Sequence, residues 1–168
     1  PALLRQTLPF LTTMAPFTYG ITPQGGLVPL DDQALIDAAK SMRVRPLLHL
    51  STLTQEGTFS NELAHTVLTD GAVQNRLAAS LLETIQQKGY RWLDVDFEFI
   101  YPEDAAAYAA FIARMRESLS PLGLPVFAAL VPKTSADQHG DLYEGHDYAA
   151  VGAAVDGVLL MTYEWGYT

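Results

Sequence analysis

Seven residues, Leu93-Asp94-Val95-Asp96-Phe97-Glu98-Phe99, alternate apolar and acidic side chains without a break. In an extended strand Asp94, Asp96 and Glu98 share one face, and Leu93, Val95, Phe97 and Phe99 share the other. The run lies in the middle of a strand–helix series, where helices cover the apolar face of a parallel sheet. The three acids are then expected to line the interior of a barrel or a crevice, stacked at roughly 6–7 Å intervals. A solvated strand face would give the same alternation, but that habit belongs to antiparallel sheets far more than to βαβ units.

Stacked carboxylates in a confined site cannot all be cheaply ionised. Repulsion and desolvation are expected to push at least one pKa up, which is how a carboxylic acid keeps its proton near neutral pH. Position then ranks the three. Active sites of α/β barrels sit at the carboxyl ends of the strands, and Glu98 lies furthest along with the longest reach. Asp96 behind it can hold a proton-sharing hydrogen bond, and Asp94 can support Asp96.

The rest of the chain alternates strands and helices, which predicts a parallel α/β sheet. Leu11–Tyr19 reads as a first strand, with a turn at Pro23–Gly26. Asp31 or Asp32 can cap a helix carrying Leu35, Ile36, Ala39 and Met42. Pro46–Leu50 is a short strand and Asn61–Leu68 a short helix. Asp70 caps a longer helix to Lys88, which Gly89 ends. Trp92–Ile100 is strand-like, and Pro102 suits the first turn of a helix through Tyr108, Phe111, Ile112 and Met115. Val126–Val131, a small helix at Tyr148–Ala154 and a last strand at Gly157–Tyr163 complete five strands. Pattern alone leaves open whether they form an open sheet or a barrel arc.

With 168 residues the chain suits one domain, residues 1–168, with no linker or composition break. A net charge of −9 argues against nucleic acid and against anchoring to an anionic membrane. No apolar tract is long enough to span a bilayer, and Pro1–Arg5 does not read as a signal peptide. The absence of cysteine removes disulfides, thiol catalysis and zinc–thiolate sites. The four histidines, His49, His65, His139 and His146, lack ligand spacing, so no metal is expected. No glycine-rich phosphate loop is present and no cofactor is expected. His49, within a strand, can face the interior as a neutral, hydrogen-bonded group. Lys133, just after a strand, reads as solvated.

Asp94-x-Asp96-x-Glu98 at a barrel strand's end resembles the signature of glycoside hydrolase family 18, the chitinase-type enzymes. A second element of that family is a Met-x-Tyr-acid run on the sixth barrel strand, matched by Met161-Thr162-Tyr163-Glu164-Trp165 at the family's spacing. Ala15-Pro16-Phe17-Thr18-Tyr19, Asp31-Asp32, Phe59-Ser60-Asn61-Glu62-Leu63-Ala64 and Pro132-Lys133-Thr134 resemble one branch, the bacterial spore-germination N-acetylglucosaminidases that degrade spore cortex. The resemblance covers nearly the whole chain. It departs at Arg91, where the long signature has an acid, at Trp92, where a glycine is usual, and at Glu164, where many relatives carry Asp. Trp92 has the parity of Asp94, so its ring is expected in the lower barrel.

The resemblance implies a (β/α)8 TIM-barrel fold, of which this chain carries about strands two to six. Part of a typical barrel of ~250 residues is then missing, and the chain is expected to be an excerpt. Two exposed sheet edges would follow, with self-association through them as a consequence. The resemblance also implies a glycan partner containing N-acetylglucosamine and a place in the bacterial cell wall, the spore or outside the cell. Hydrolysis would be substrate-assisted and retaining, outside the two-carboxylate scheme. Glu98 would be the acid, the substrate's acetamido oxygen the nucleophile, Asp96 its orienting group, and Tyr163 a hydroxyl donor to it. Met161 would line the substrate site, with Trp165 and Tyr19 as sugar-stacking platforms. Three alternatives remain: an endo-acting chitinase type, a non-catalytic glycan-binding member, and an inert fragment of an active parent.

Overall fold

The computed structural model describes residues 2–163. After α1 (Ala2–Thr7) come two short strands, β1 (Thr13–Met14) and β2 (Thr18–Tyr19), then α2 (Gln33–Ser41) and β3 (Arg45–Ser51). Next are α3 (Asn61–Thr69), α4 (Gly71–Lys88), β4 (Trp92–Asp96), α5 (Ala105–Leu119), β5 (Val126–Leu130), α6 (Tyr148–Ala154) and β6 (Gly157–Leu160). Every strand pairing is parallel: β1 and β2 both pair with β3, which pairs with β4, then β5, then β6. Spatial order therefore follows chain order. A doubly wound open sheet would reverse direction at a switch point, so the sheet is the arc of a barrel, as the family resemblance implies.

The expected first strand is broken in two, and the break sets which side chains enter the arc. Met14 pairs with Pro46 and Thr18 with His49, so this strand advances four residues while β3 advances three. Pro16 lies in the gap. It has no N–H for the ladder and restricts the residue before it, a bulge-like interruption. Met14 consequently packs on the helix side with Leu8, Ala39 and Val44. Thr18 turns inward, where its hydroxyl meets that of Ser51 at 2.7 Å.

Side-chain parity places the core between sheet and helices. Leu48, Leu50, Leu93, Val95, Phe97, Val126, Ala128 and Leu130 meet Leu77, Leu81, Ile85, Phe111, Ile112 and Met115 in one buried cluster. Two predicted helix boundaries hold. Asp70 Oδ1 accepts from the N–H groups of Ala72 and Val73, and Gly89 ends α4 at φ +82°, in the left-handed region that favours glycine. Asp32 stands at the start of α2 as expected, but its side chain makes no cap bond. Pro102 opens a 3₁₀ turn (Pro102–Asp104) rather than α5 itself. There Asp104 takes a contact from His65 Nδ1 at 2.7 Å instead of capping.

Two strands are shorter than expected. β4 stops at Asp96 and β6 at Leu160, so Glu98 and Tyr163 lie beyond the ladder. β6 is the outer strand of the arc, and Val158, Leu159 and Leu160 are exposed on both of its faces. The floor of the arc is filled by Trp92, as parity requires. Its ring stacks on Phe127 at 4.7 Å between centroids, and the Arg45 guanidinium lies over the same ring at 5.5 Å from its centre.

That stack leaves no room at Gly157, where an added Cβ would lie 2.2 Å from a ring carbon of Phe127. Gly157→Ala is therefore expected to destabilise the full-length protein by about 1–3 kcal/mol in urea unfolding. Gly152→Ala in α6, where a Cβ meets nothing within 4 Å, is expected to be neutral or stabilising by a few tenths. Equal effects at the two positions would refute the packing argument.

Candidate active site

Register on β3 and β4 brings the site together. His49 lies opposite Asp94 and Ser51 opposite Asp96, and paired residues share the interior face. The His49 ring is inserted between the two acids: Nδ1 is 2.8 Å from Asp94 Oδ2 and Nε2 is 3.2 Å from Asp96 Oδ2. Asp94 and Asp96 are almost completely buried, at 2% and 6% exposure. Their second oxygens, Oδ1 in both cases, are buried with no hydrogen-bond partner among the described residues. Burial opposes a charge on His49, but hydrogen bonds to Asp94 and then Asp96 outweigh it and raise its pKa to about 9. The interior position expected of His49 is thus correct and the expected neutrality is not. The missing premise was register, because one strand's sequence does not reveal which acids stand beside it.

Glu98 follows two residues after β4, half-buried, and its backbone is held from two sides. The Phe97 ring is stacked against Tyr108 at 5.7 Å and Phe111 at 5.5 Å, anchoring the chain on the helix side. From the other direction, His146 Nε2 lies 3.0 Å from the carbonyl oxygen of Glu98. A carbonyl only accepts, so that nitrogen carries the proton. Burial lowers the pKa of His146, keeping the ring neutral. The loop bearing it packs so closely that a Cβ at Gly145 would fall 2.3 Å from the carbonyl oxygen of Ile100. Lys133 is not solvated as expected: its ammonium donates to the His146 carbonyl at 2.5 Å and lies 5.6 Å from the Tyr148 ring centre. His146 was missed as a functional candidate because its partner is a backbone atom 48 residues away.

The other site residues are dispersed. Met161 N–H donates to Leu130 at 3.0 Å, continuing the β5–β6 ladder by one residue. Tyr163 is 67% exposed at the end of that path. Glu164 and Trp165 lie outside the described residues. Tyr19 faces the helices, opposite Leu50, and its hydroxyl donates to Asp32 at 2.8 Å. With 2% exposure its ring offers no face for a sugar to stack on, which corrects the platform expectation. Cavities of about 270 and 580 Å³ lie among the loops, lined by residues such as Glu62 and Lys133 and not by the stacked acids. Asp94 and Asp96 instead lie on the concave side of the arc.

The comparisons agree with this geometry. The model of glycosyl hydrolases family 18 matches residues 38–167. A cortical fragment-lytic enzyme of Bacillus subtilis is 38% identical over 166 residues, covering 98% of this chain and 38% of that protein. The crystal structure of the Bacillus cereus spore cortex-lytic enzyme SleL superposes with a TM-score of 0.92 at 35% identity, over 99% of this chain and 38% of the other. A class V chitinase from Pseudomonas fluorescens gives 0.87 at 28% identity, over 96% of this chain and 50% of the other. The chain thus spans less than half the length of the curated relatives it matches. On the family match, the acid ladder of β4 and the sequentially ordered parallel arc, the chain belongs to glycosyl hydrolases family 18.

Proposed function

We propose that the full-length protein is a retaining glycosidase that cleaves β-linked N-acetylglucosamine in peptidoglycan fragments of the spore cortex. The carrying observation is the acid series Asp94, Asp96 and Glu98 at the carboxyl end of β4, within a family 18 domain similar to cortex-lytic enzymes. Glu98 gives its proton to the departing glycosidic oxygen and later takes one from water. The acetamido oxygen of the substrate attacks the anomeric carbon, giving an oxazolinium ion. Asp96 orients the acetamido group and stabilises the developing positive charge, and the Tyr163 hydroxyl donates to its oxygen. The buried Oδ1 of Asp96, without a partner among the described residues, supports this role, since an acetamido N–H supplies a donor to it. Met161 lies on the same path as Tyr163, and Trp165 is the remaining stacking candidate. The place of action is the cell wall or spore.

The test uses paired substrates, with or without the acetamido carbonyl. Cortex fragments bearing N-acetylglucosamine are expected to be cut with retained β configuration, followed by NMR. Analogues with a free amine are expected to react at least about 10²-fold more slowly, because the positioned internal nucleophile is gone. Equal rates would overturn substrate assistance. Faster cleavage of chitin oligomers than of cortex fragments would instead identify a chitinase type, the reading favoured by likeness to the Pseudomonas fluorescens enzyme. Binding without cleavage of either would identify a glycan-binding member.

A further inference from the structure

We propose that His49 is a positioning residue for Asp96, one ring that ties the middle acid of the series to Asp94 until substrate draws it away. The proposal rests on the reading of Asp96 and Glu98 as the reacting site. It stands first on geometry. The ring's two nitrogens reach oxygens of two different carboxylates, at 2.8 Å and 3.2 Å. When both carboxylates are ionised they only accept, so both nitrogens then donate and the ring carries a full charge. A pKa near 9 agrees with that requirement.

The two tethers are unequal. Asp94 is held by the shorter contact and Asp96 by the longer one. Asp96 also keeps its buried Oδ1 without a donor among the described residues. Among the described residues its carboxylate is therefore held at one oxygen only, by the longer of the two contacts, with an acceptor waiting for an N–H. When a substrate amide supplies that donor, Asp96 can turn from His49 without leaving a bare charge pair behind, because the ring still neutralises Asp94. Two stacked acids would otherwise have to share a proton to avoid repulsion. Here a cation takes that part.

The charged groups facing His49 are Asp94 and Asp96 of β4. Thr18, its partner on β2, is uncharged, as is Ser51 two residues further along β3. Loss of the ring proton at alkaline pH leaves the two acids facing each other, so Asp96 loses its resting position. The alkaline limb of kcat/KM then belongs to His49.

Two substitutions separate the two tethers. The amide nitrogen of asparagine takes the place of Nδ1, and that of glutamine the place of Nε2. His49→Gln keeps a donor towards Asp96, and His49→Asn keeps one towards Asp94. Kinetics of the full-length protein on cortex fragments between pH 5 and 10 are expected to show kcat reduced about tenfold in His49→Gln and about a hundredfold in His49→Asn. Both variants are expected to lose the alkaline limb that the wild type shows near pH 9. Equal losses in the two, with the wild-type pH profile kept, would mean a merely structural histidine and overturn the proposal.

Ring NMR of His49 in histidine-labelled protein, without substrate, provides the second measurement. A ring charged up to about pH 9, and titrating lower in Asp94→Asn, supports the bridge. Titration near 6.5 in the wild type overturns it. This readout stands even if no substrate is cleaved, so failure of the glycosidase reading and failure of the bridge give different results.

Discussion

Glu98→Gln in the full-length protein is expected to lower kcat on N-acetylglucosamine oligomers by about 10²–10⁴-fold while substrate still binds. Glutamine keeps the length, the planar end group and a hydrogen-bonding oxygen, but it cannot transfer a proton. The supports of this position act on the main chain and on Phe97, not on the Glu98 carboxyl alone. They are the His146 bond to the Glu98 carbonyl and the ring stack of Phe97 on Tyr108 and Phe111. The variant should therefore fold as the wild type does, and the loss should fall on chemistry. Steady-state kinetics with calorimetric binding to the same oligomer separate the two. Full activity in the variant would remove Glu98 as the acid and leave the β4 acids with a structural role. Unchanged folding but lost binding would assign Glu98 to substrate recognition instead.

The largest loss of stability is expected away from the acid ladder, at Asp32. This buried carboxylate accepts from both Tyr19 and Tyr90 at Oδ2 and from Lys88 at Oδ1, the last at 2.5 Å. One side chain thereby joins the start of α2, strand β2, the end of α4 and the approach to β4. The two phenol rings meet edge to face at 6.0 Å, and the Lys88 ammonium lies 5.5 Å from the Tyr19 ring centre. Asp32→Ala leaves two buried hydroxyls without their acceptor and the Lys88 ammonium with the Leu30 carbonyl but no counter-charge. The expected cost is about 3–5 kcal/mol in urea unfolding of the full-length protein.

Burial alone would raise the pKa of Asp32, but hydrogen bonds from Lys88, Tyr90 and Tyr19 outweigh it and hold it below the ordinary carboxylate value. A group depressed in the folded state stabilises above its unfolded pKa, about 3.9, and loses that contribution as pH falls through its folded value. The gap between wild type and Asp32→Ala is therefore expected to be full at pH 7 and to narrow below about pH 4. A gap unchanged down to pH 2 would show that the loss comes from packing rather than from the charge.

Much of this was legible in the residues, for local reasons. Helix starts and stops at Asp70 and Gly89 need only the next few peptide groups, and they appear where expected. The faces of residues 93–97 follow from strand parity, so the buried apolar side and the acid side were separable in advance. Trp92 on the floor of the arc follows from the same rule. The family's paired motifs at Asp94–Glu98 and Met161–Glu164 added the barrel, which periodicity had left open.

What the residues did not reveal depends on partners distant in the chain. Asp32 has the look of a helix cap, yet two phenols and an ammonium from elsewhere in the fold compete for it and win. Tyr19 carries an aromatic suited to a sugar, but the ladder with β3 turns it to the helix side. Lys133 looks solvated until a carbonyl of the next loop is brought within reach. The sequence by itself determined the alternation of strands and helices from α2 onward, the two faces of β4, the acid series and the family, because all of these rest on spacing along one chain segment. Only the tertiary structure decided that His49 stands between Asp94 and Asp96 and that His146 holds the backbone of Glu98. Register between strands and contacts across some fifty residues are settled by packing, and no local pattern encodes them.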